Sequence, residues 1–365
     1  MSACRVLVAT PDFPPDHGGI QYLAYRLVAH FEAASPRVYA LEAGGAAEWD
    51  GAHGIDVRRV PVSSDRRVSI ARLNAAVIAE AVRSRPDVLL AMHVTLAPAV
   101  AAIRRLLGTP TVTYVHADEV VAFPLVARVA LRHSTRIIAV SRYTSDLAVG
   151  ARADDARITV IPPGIDWIEP PVAPRDPRPT IVTVARLEDR YKGHEVILRA
   201  LPLVRARVPD VQWMVVGDGS LRNELERLTV SHGVNDGVHF CGAVSDQQRD
   251  QVLDRAHVFA MPSRVPPGGG GEGFGIVYLE AGIHGLPVVA GGVGGAVDAV
   301  VDEVTGLLVD PSDHVQVAGA LVRLLEDRSL AARMGAAASE RARTFAWPQI
   351  AGRVEDLIVE LKAAA

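Results

Sequence analysis

Lysine is nearly missing from this chain of 365 residues. It occurs only at Lys192 and Lys362, and arginine supplies the other 36 of the 38 basic residues. Cysteine is almost as scarce: Cys4 and Cys241 lie far apart and match no metal or redox spacing, which excludes a disulfide-stapled scaffold and leaves both as structural thiols. No Asp-x-Asp pair occurs, so the usual two-carboxylate seat for a divalent ion is missing. No Gly-x-Gly-x-x-Gly follows the first strand-like run, which disfavours a nicotinamide enzyme. The longest apolar stretch, Val88 to Ile103, is broken by His93, Thr95 and Pro98 and falls short of a membrane span. The start, Met1 to Asp12, is too short for a signal-peptide core, so the expected compartment is the cytosol. A net charge of -4 argues against a general nucleic-acid binder, whose affinity rests on neutralising phosphates.

What is present is ordinary for a globular chain: 49% hydrophobic and 22% charged residues, enough to bury a large core without staples. The length predicts two domains. Residues 170–179, PPVAPRDPRP, hold five prolines in ten positions and mark a semi-rigid linker. Residues 1–165 carry 18 arginines against 15 acids, whereas 166–365 carry 20 bases against 27 acids. Each half alternates short β-branched runs with helical patterns. CRVLVAT, RVYAL, DVLLAM, PTVTYVH and RIIAVS lie in the first half; TIVTVA, VQWMVVG, VHFCG, HVFAMPS and PVVAG lie in the second. Strands buried on both faces and separated by helices of 10–15 residues predict α/β architecture with two Rossmann-like, doubly wound parallel sheets. Ligands of such sheets bind beyond the carboxyl ends of the strands, and two such domains predict a site in the cleft between them.

Three loops carry residues suited to chemistry. In PDFPPDHGGIQ, Gly18 and Gly19 open a helix expected from Gln21, where free N–H groups suit an anion; a plain strand-to-helix turn reads as well. In VARLEDRYKGHE, Arg186 and Lys192 are two cations six residues apart, fit to clamp a diphosphate or to form a solvated turn. The most specific pattern is Glu272-Gly-Phe-Gly-Ile-Val-Tyr-Leu-Glu280, preceded by Gly268 to Gly271. Glu272 is expected in the loop, Gly275 at a helix start and Glu280 about one and a half turns in, with the amides of Phe274, Gly275 and Ile276 facing an anion. Weaker signals are His116 at the end of PTVTYVH, Gly217 and Gly219 in VGDG, and GGVGG at Gly291 to Gly295.

Taken together and in order, these motifs resemble the family 4 retaining glycosyltransferases of the GT-B fold, with the first loop closest in appearance to phosphatidylinositol mannosyltransferases. The resemblance covers nearly the whole chain. It implies that Gly18 and Gly19 approach the donor phosphates and that Arg186 and Lys192 neutralise the leaving diphosphate. Glu280 is implied to hold the ribose hydroxyls and Glu272 those of the transferred sugar, with Phe274 to Ile276 beside the phosphates. Gly217 and Gly219 are implied at the donor side, and His116 near the anomeric face of the donor sugar. It further implies an acceptor-side domain over 1–165, a linker over 166–179, a nucleotide-sugar domain over 180–345 and a terminal helix over 346–365 crossing back to the first domain. Two departures stand out: RVPPGGGGEGFG is longer and richer in glycine than the family pattern, and the usual glutamate of GGxxE is here Asp298.

The expected partners are a nucleotide-sugar donor (GDP-mannose or a UDP-sugar) and a sugar, glycolipid or small-molecule hydroxyl, with no cofactor, no metal and no nucleic acid. Two other readings remain: a nucleotide-sugar epimerase of the same architecture, and a sugar-nucleotide sensor without turnover. Arg66, Arg67, Arg72, Arg83 and Arg85, with Arg128, Arg132 and Arg136, allow either peripheral membrane contact or, the favoured reading, a solvated arginine face. Loops near Trp49, His53 and residues 116–125 are expected to shape the acceptor pocket.

Overall fold

The computed structural model describes residues 3–16, 18–169 and 174–365. They form two compact units, one of residues 1–164 with 345–365 and one of residues 165–344. The first unit holds strands β1 (Cys4–Thr10), β2 (Ala34–Leu41), β3 (Val57–Val60), β4 (Val88–Ala91), β5 (Thr111–Val115), β6 (Arg136–Ala139) and β7 (Ile158–Val160). They make one seven-stranded sheet in the order β3-β2-β1-β4-β5-β6-β7, parallel throughout. The second unit holds β8 (Thr180–Val184), β9 (Gln212–Val216), β10 (Val238–Gly242), β11 (Val258–Met261), β12 (Val288–Gly291) and β13 (Gly306–Val309), ordered β10-β9-β8-β11-β12-β13 and likewise parallel.

The parallel arrangement follows from the apolar runs. Every residue of β4 and β11 is buried, which only a sheet covered on both faces allows. In the first unit, Leu73 and Val77 of helix Arg66–Ser84 and Val100 and Ile103 of helix Ala97–Leu107 pack with Leu7 and Leu89 of the sheet. In the second, Val196, Ile197 and Leu201 of helix His194–Arg207 join Trp213 and Val215 of β9. Trp213 is fully buried and satisfies its indole N–H on Thr183 Oγ1 at 3.0 Å, so the polar edge of the ring does not oppose burial.

Helix Trp347–Ala363 belongs to the first unit and packs on β1 and β4. Its buried Glu355 accepts the main-chain N–H groups of Ala33 and Ala34 at 2.9 and 2.8 Å, at the start of β2. Lys362 Nζ meets Asp87 Oδ2 at 3.1 Å. One of the two lysines is thus used to fasten the terminal helix.

Some local expectations are corrected. Trp49 and His53 lie on a helix, Ala46–His53, instead of in a loop. Gly45 and Gly54, both with positive φ, bracket it, and its short AAEWDGAH sequence shows no apolar period. The Trp49 ring packs edge-on against Phe13 and Tyr25 and stacks on His53. Residues 116–125, also expected as loop, are mostly the helix Ala117–Ala122 and the start of helix Pro124–His133. Pro98, read as a break in the apolar stretch, sits in the first helical turn, where its missing N–H leaves no bond unmade. The helix after the first loop starts at Gly19, two residues before the expected Gln21.

Of the proline-rich stretch, residues 170–173 lie outside the described residues. The rest is fastened to the second unit. Arg175 donates to the carbonyls of Leu253 (3.4 Å), Asp254 (3.0 Å), His284 (2.8 Å) and Gly285 (3.2 Å), near the carboxyl ends of helices Asp246–Arg255 and Ile276–Ile283. A guanidinium there meets both the free carbonyls and the negative helix ends. Arg175→Ala should lower the unfolding free energy by about 2–3 kcal/mol, read as an earlier denaturant midpoint; an unchanged midpoint would show the anchor to be dispensable.

Candidate functional site

In the second unit the sequence-selected residues gather on the loops after β8, β9, β11 and β12. The loop after β8 is held from below. Leu187 is fully buried, its N–H reaching Asp218 O and its carbonyl accepting the Leu221 N–H. Glu188 accepts the Ser220 N–H at 2.9 Å and hydroxyl at 2.6 Å. Arg190 pairs with Glu224 at 2.6 Å and with Glu195, so this cation is spent on the fold. Arg186 is different: its side chain is 71% exposed, and the acid paired with it, Asp189, stands 3.5 Å away. An exposed pair at that distance holds the guanidinium weakly, leaving it open to an anion.

Lys192 Nζ meets Glu272 Oε2 at 2.5 Å with both side chains largely buried, and it lies over the Tyr191 ring. Burial alone would push the Lys192 ammonium toward deprotonation; the Glu272 carboxylate more than offsets this and leaves its pKa raised. The cation is therefore permanent at neutral pH. Beside it, burial and then the Lys192 charge drive His194 down to about 4, so the neighbouring ring stays neutral.

Glu272 lies in the loop before helix Ile276–Ile283, with Gly275 as its N-cap at φ 91° and Glu280 on the helix, the arrangement read from the sequence. A Cβ on Gly275 would overlap the Tyr278 ring. The buried Phe274 pins the loop, and Glu272 O accepts the Gly295 N–H at 2.9 Å, tying it to the GGVGG loop. Glu280 is partly buried and, among the described residues, its carboxylate has no hydrogen-bond partner. Burial raises its pKa; Arg249 opposes this, and Asp250, Asp246 and Asp166 add to it.

Gly217 and Gly219 have a packing role in the loop after β9. A side chain at Gly217, whose φ is 131°, would collide with Ala185 O, and one at Gly219 with the Leu187 carbonyl. Both therefore let the β9 loop lie against the Arg186–Lys192 loop. Gly18 has extended backbone that any residue adopts, while a Cβ on Gly19 would meet nothing within 4 Å.

In the first unit His116 follows β5. Its Nε2–H donates to Met92 O at 3.1 Å, and its main-chain N–H donates to Glu119 Oε1 at 3.1 Å. Burial lowers the His116 pKa, only partly countered by Glu119, so its ring is neutral. Glu119 Oε2 lies 2.8 Å from His93 Nε2. Burial opposes the charge of each partner, yet the pairing wins: the Glu119 pKa is lowered and the His93 pKa raised. His93 follows β4 and Asp12 follows β1, so the cluster lies beyond the carboxyl ends of the strands where the sheet order reverses. Sequence reasoning missed His93 and Glu119. Signals existed: His93 ends a strand run as His116 does, and His116-x-x-Glu119 has capping-box spacing.

Two cavities of about 230 and 410 Å³ in this unit lie elsewhere. They are lined by Arg5, Arg37 and Glu80 and by Tyr25, His53 and Asp56, near the amino ends of β1 to β3. Among the described residues no group of three or more His, Cys, Asp or Glu is placed to share a metal ion, and no helix is long and apolar enough to cross a membrane.

The profile of the family described as Glycosyl transferases group 1 matches residues 166–341, and that described as Glycosyltransferase Family 4 matches residues 17–167. The GDP-mannose-dependent alpha-(1-6)-phosphatidylinositol monomannoside mannosyltransferase of Mycobacterium tuberculosis is 36% identical, over 97% of this chain and 98% of that protein. The GDP-mannose-dependent monoacylated alpha-(1-6)-phosphatidylinositol monomannoside mannosyltransferase of Corynebacterium glutamicum is 32% identical, over 98% and 99%. Among solved structures, Anabaena HepE in complex with UDP superposes with a TM-score of 0.81 at 20% identity, covering 98% of this chain and 100% of that one. Sucrose-phosphate synthase from Thermosynechococcus elongatus gives 0.81 at 21%, covering 99% and 100%. Both are matches of fold.

Gly217→Ala should lower stability by about 1–3 kcal/mol, because it places a side chain at positive φ against a carbonyl. Thermal unfolding checks this, and an unchanged melting temperature would contradict the packing role.

Proposed function

We propose, from the premise that this chain belongs to glycosyltransferase family 4 and is an enzyme that transfers glycosyl groups from nucleotide sugars, that its donor is GDP-mannose and its acceptor a phosphatidylinositol monomannoside. The single observation behind this choice is similarity over nearly the full length to mannosyltransferases so named. The transfer retains the anomeric configuration and needs no metal. The bond from the anomeric carbon to the diphosphate oxygen breaks, a bond to the acceptor hydroxyl forms on the same face, and the hydroxyl proton passes to the departing phosphate.

The chemical obstacle is negative charge growing on the leaving diphosphate. Arg186 is free to fork onto it, and Lys192 is already ionised and held by Glu272 before any ligand arrives. Groups aligned in advance need little reorganisation during the reaction, and each such donor is worth on the order of 3 kcal/mol. In this reading Gly18, Gly19 and the amides of Phe274, Gly275 and Ile276 add main-chain donors. Gly217 and Gly219 serve the donor indirectly, by seating the cationic loop. Glu272 accepts hydroxyls of the mannose, Glu280 accepts those of the ribose, and neutral His116 stands at the anomeric side.

The deciding experiment is transfer of labelled mannose from GDP-mannose to a phosphatidylinositol monomannoside, with product configuration read by NMR. An α product, formed undiminished with EDTA present, is expected; a β product or loss of activity on chelation would refute the retaining or the metal-free mechanism. Because Arg186 is largely exposed, Arg186→Ala should leave the melting temperature unchanged while kcat/KM falls by about 100-fold.

Glu280 gives a pH dependence. Its raised pKa means that it gains a proton earlier on acidification than an ordinary glutamate. An ionised carboxylate accepts hydroxyl protons more strongly than a protonated one. Affinity for GDP-mannose should therefore hold at neutral pH and weaken as the pH falls through the Glu280 titration. In Glu280→Gln it should be weaker at pH 7 and flatter with pH; calorimetric titration would show an unaltered pH profile if this assignment is wrong.

A further inference from the structure

We propose that Glu119 is a positioning residue for His116 and acts together with His93, a role that rests on the mannosyl-transfer reading above. One buried carboxylate is divided between two histidines that end adjacent strands. Oε1 takes the main-chain N–H of His116 at 3.1 Å, and Oε2 faces His93 Nε2 at 2.8 Å. Glu119 is 4% exposed and the His93 side chain 11%, so water competes little for either.

The proton positions follow from the partners. Thr95 donates its main-chain N–H to His93 Nδ1 at 3.1 Å, so Nδ1 is an acceptor and the neutral ring carries its proton on Nε2, the nitrogen that approaches Glu119 Oε2 as an electrostatic contact without hydrogen-bond alignment. Met92 O accepts only, so His116 holds its proton on Nε2 as well. Met92 and His93 are consecutive. The same short segment after β4 therefore holds the His116 ring through a carbonyl and faces Glu119 through an imidazole. Glu119 closes the loop by holding the His116 main chain. The ring is thereby fixed at both ends, its backbone by the carboxylate and its edge by the carbonyl.

The charges facing His93 fit this arrangement. Glu119 acts most strongly; Asp12 acts more weakly, is paired with Arg66 at 3.1 Å and is opposed by the Arg66 charge, and His116 is neutral. With Arg66 drawing on Asp12, Glu119 is the main anion acting on His93. A glutamate used only as a helix cap has no need of a second, buried imidazole on its other oxygen, and a capping role alone leaves His93 unexplained.

The test uses the full chain and Glu119→Gln, which keeps an oxygen for the His116 amide and removes the charge. Histidine ring nitrogens are followed by NMR between pH 5 and 9, beside steady-state mannosyl transfer. The His93 midpoint should move down by about one pH unit. In the same variant kcat should fall by about 100-fold, as misplacing a reactive group by about 1 Å does, while KM for GDP-mannose stays within about twofold. An unmoved His93 midpoint with kcat within about twofold of the parent overturns the proposal. So does a loss of kcat that only parallels a loss of melting temperature with the titration unchanged. His93→Gln should lower kcat in the same direction with KM unaltered; full activity in that variant also overturns it. If the parent chain moves no mannose, the functional reading fails while the histidine titration still decides whether the pair exists.

Discussion

A single buried ion pair, Lys192 with Glu272, organises the loops at the carboxyl ends of the strands in the second unit. Lysine is so scarce here that its placement beside a carboxylate is informative, and the pairing gives each partner a reason to be where it is. Without Glu272, burial would drive the ammonium toward its neutral form; with it, the charge is held in place on a loop that also carries the exposed Arg186. The loops after β8 and β11 are thereby tied together: the first brings cations, the second a carboxylate and main-chain N–H groups.

Around that pair the fold assigns its charges in two ways. Arg190, Glu188 and Arg175 are consumed by internal partners and make loops rigid. The Arg186 guanidinium and the Glu280 carboxylate are left with a weak partner or none among the described residues. Glycines support the division. Those at 217 and 219 let one loop lie against another, and the one at 275 turns the chain into a helix beside a tyrosine ring. The first unit uses the same device in another form, with Glu119 shared between His93 and His116 at the point where the strand order reverses. A doubly wound sheet places strand ends side by side there, so residues distant in sequence share one carboxylate.

Much was legible from the order of residues alone. Apolar runs such as VLLA and VFAM, too short for helices and too apolar for a half-exposed sheet, determined two parallel sheets. The E-x7-E pattern with its glycines determined a loop, a helix start and a second acid on that helix. The motif order determined the family, because so many spaced residues do not recur together by composition. What tertiary structure decided was pairing. Lys192 and Glu272 are 80 positions apart, and His93 and Glu119 are 26 apart; neither spacing shows in a local pattern. Helix Ala46–His53 was invisible because glycine bends, not an apolar period, define its ends. Local periodicity reports which face of an element is buried; which charge meets which is set by the crossing of loops after the strands have stacked, and only the folded chain contains that information.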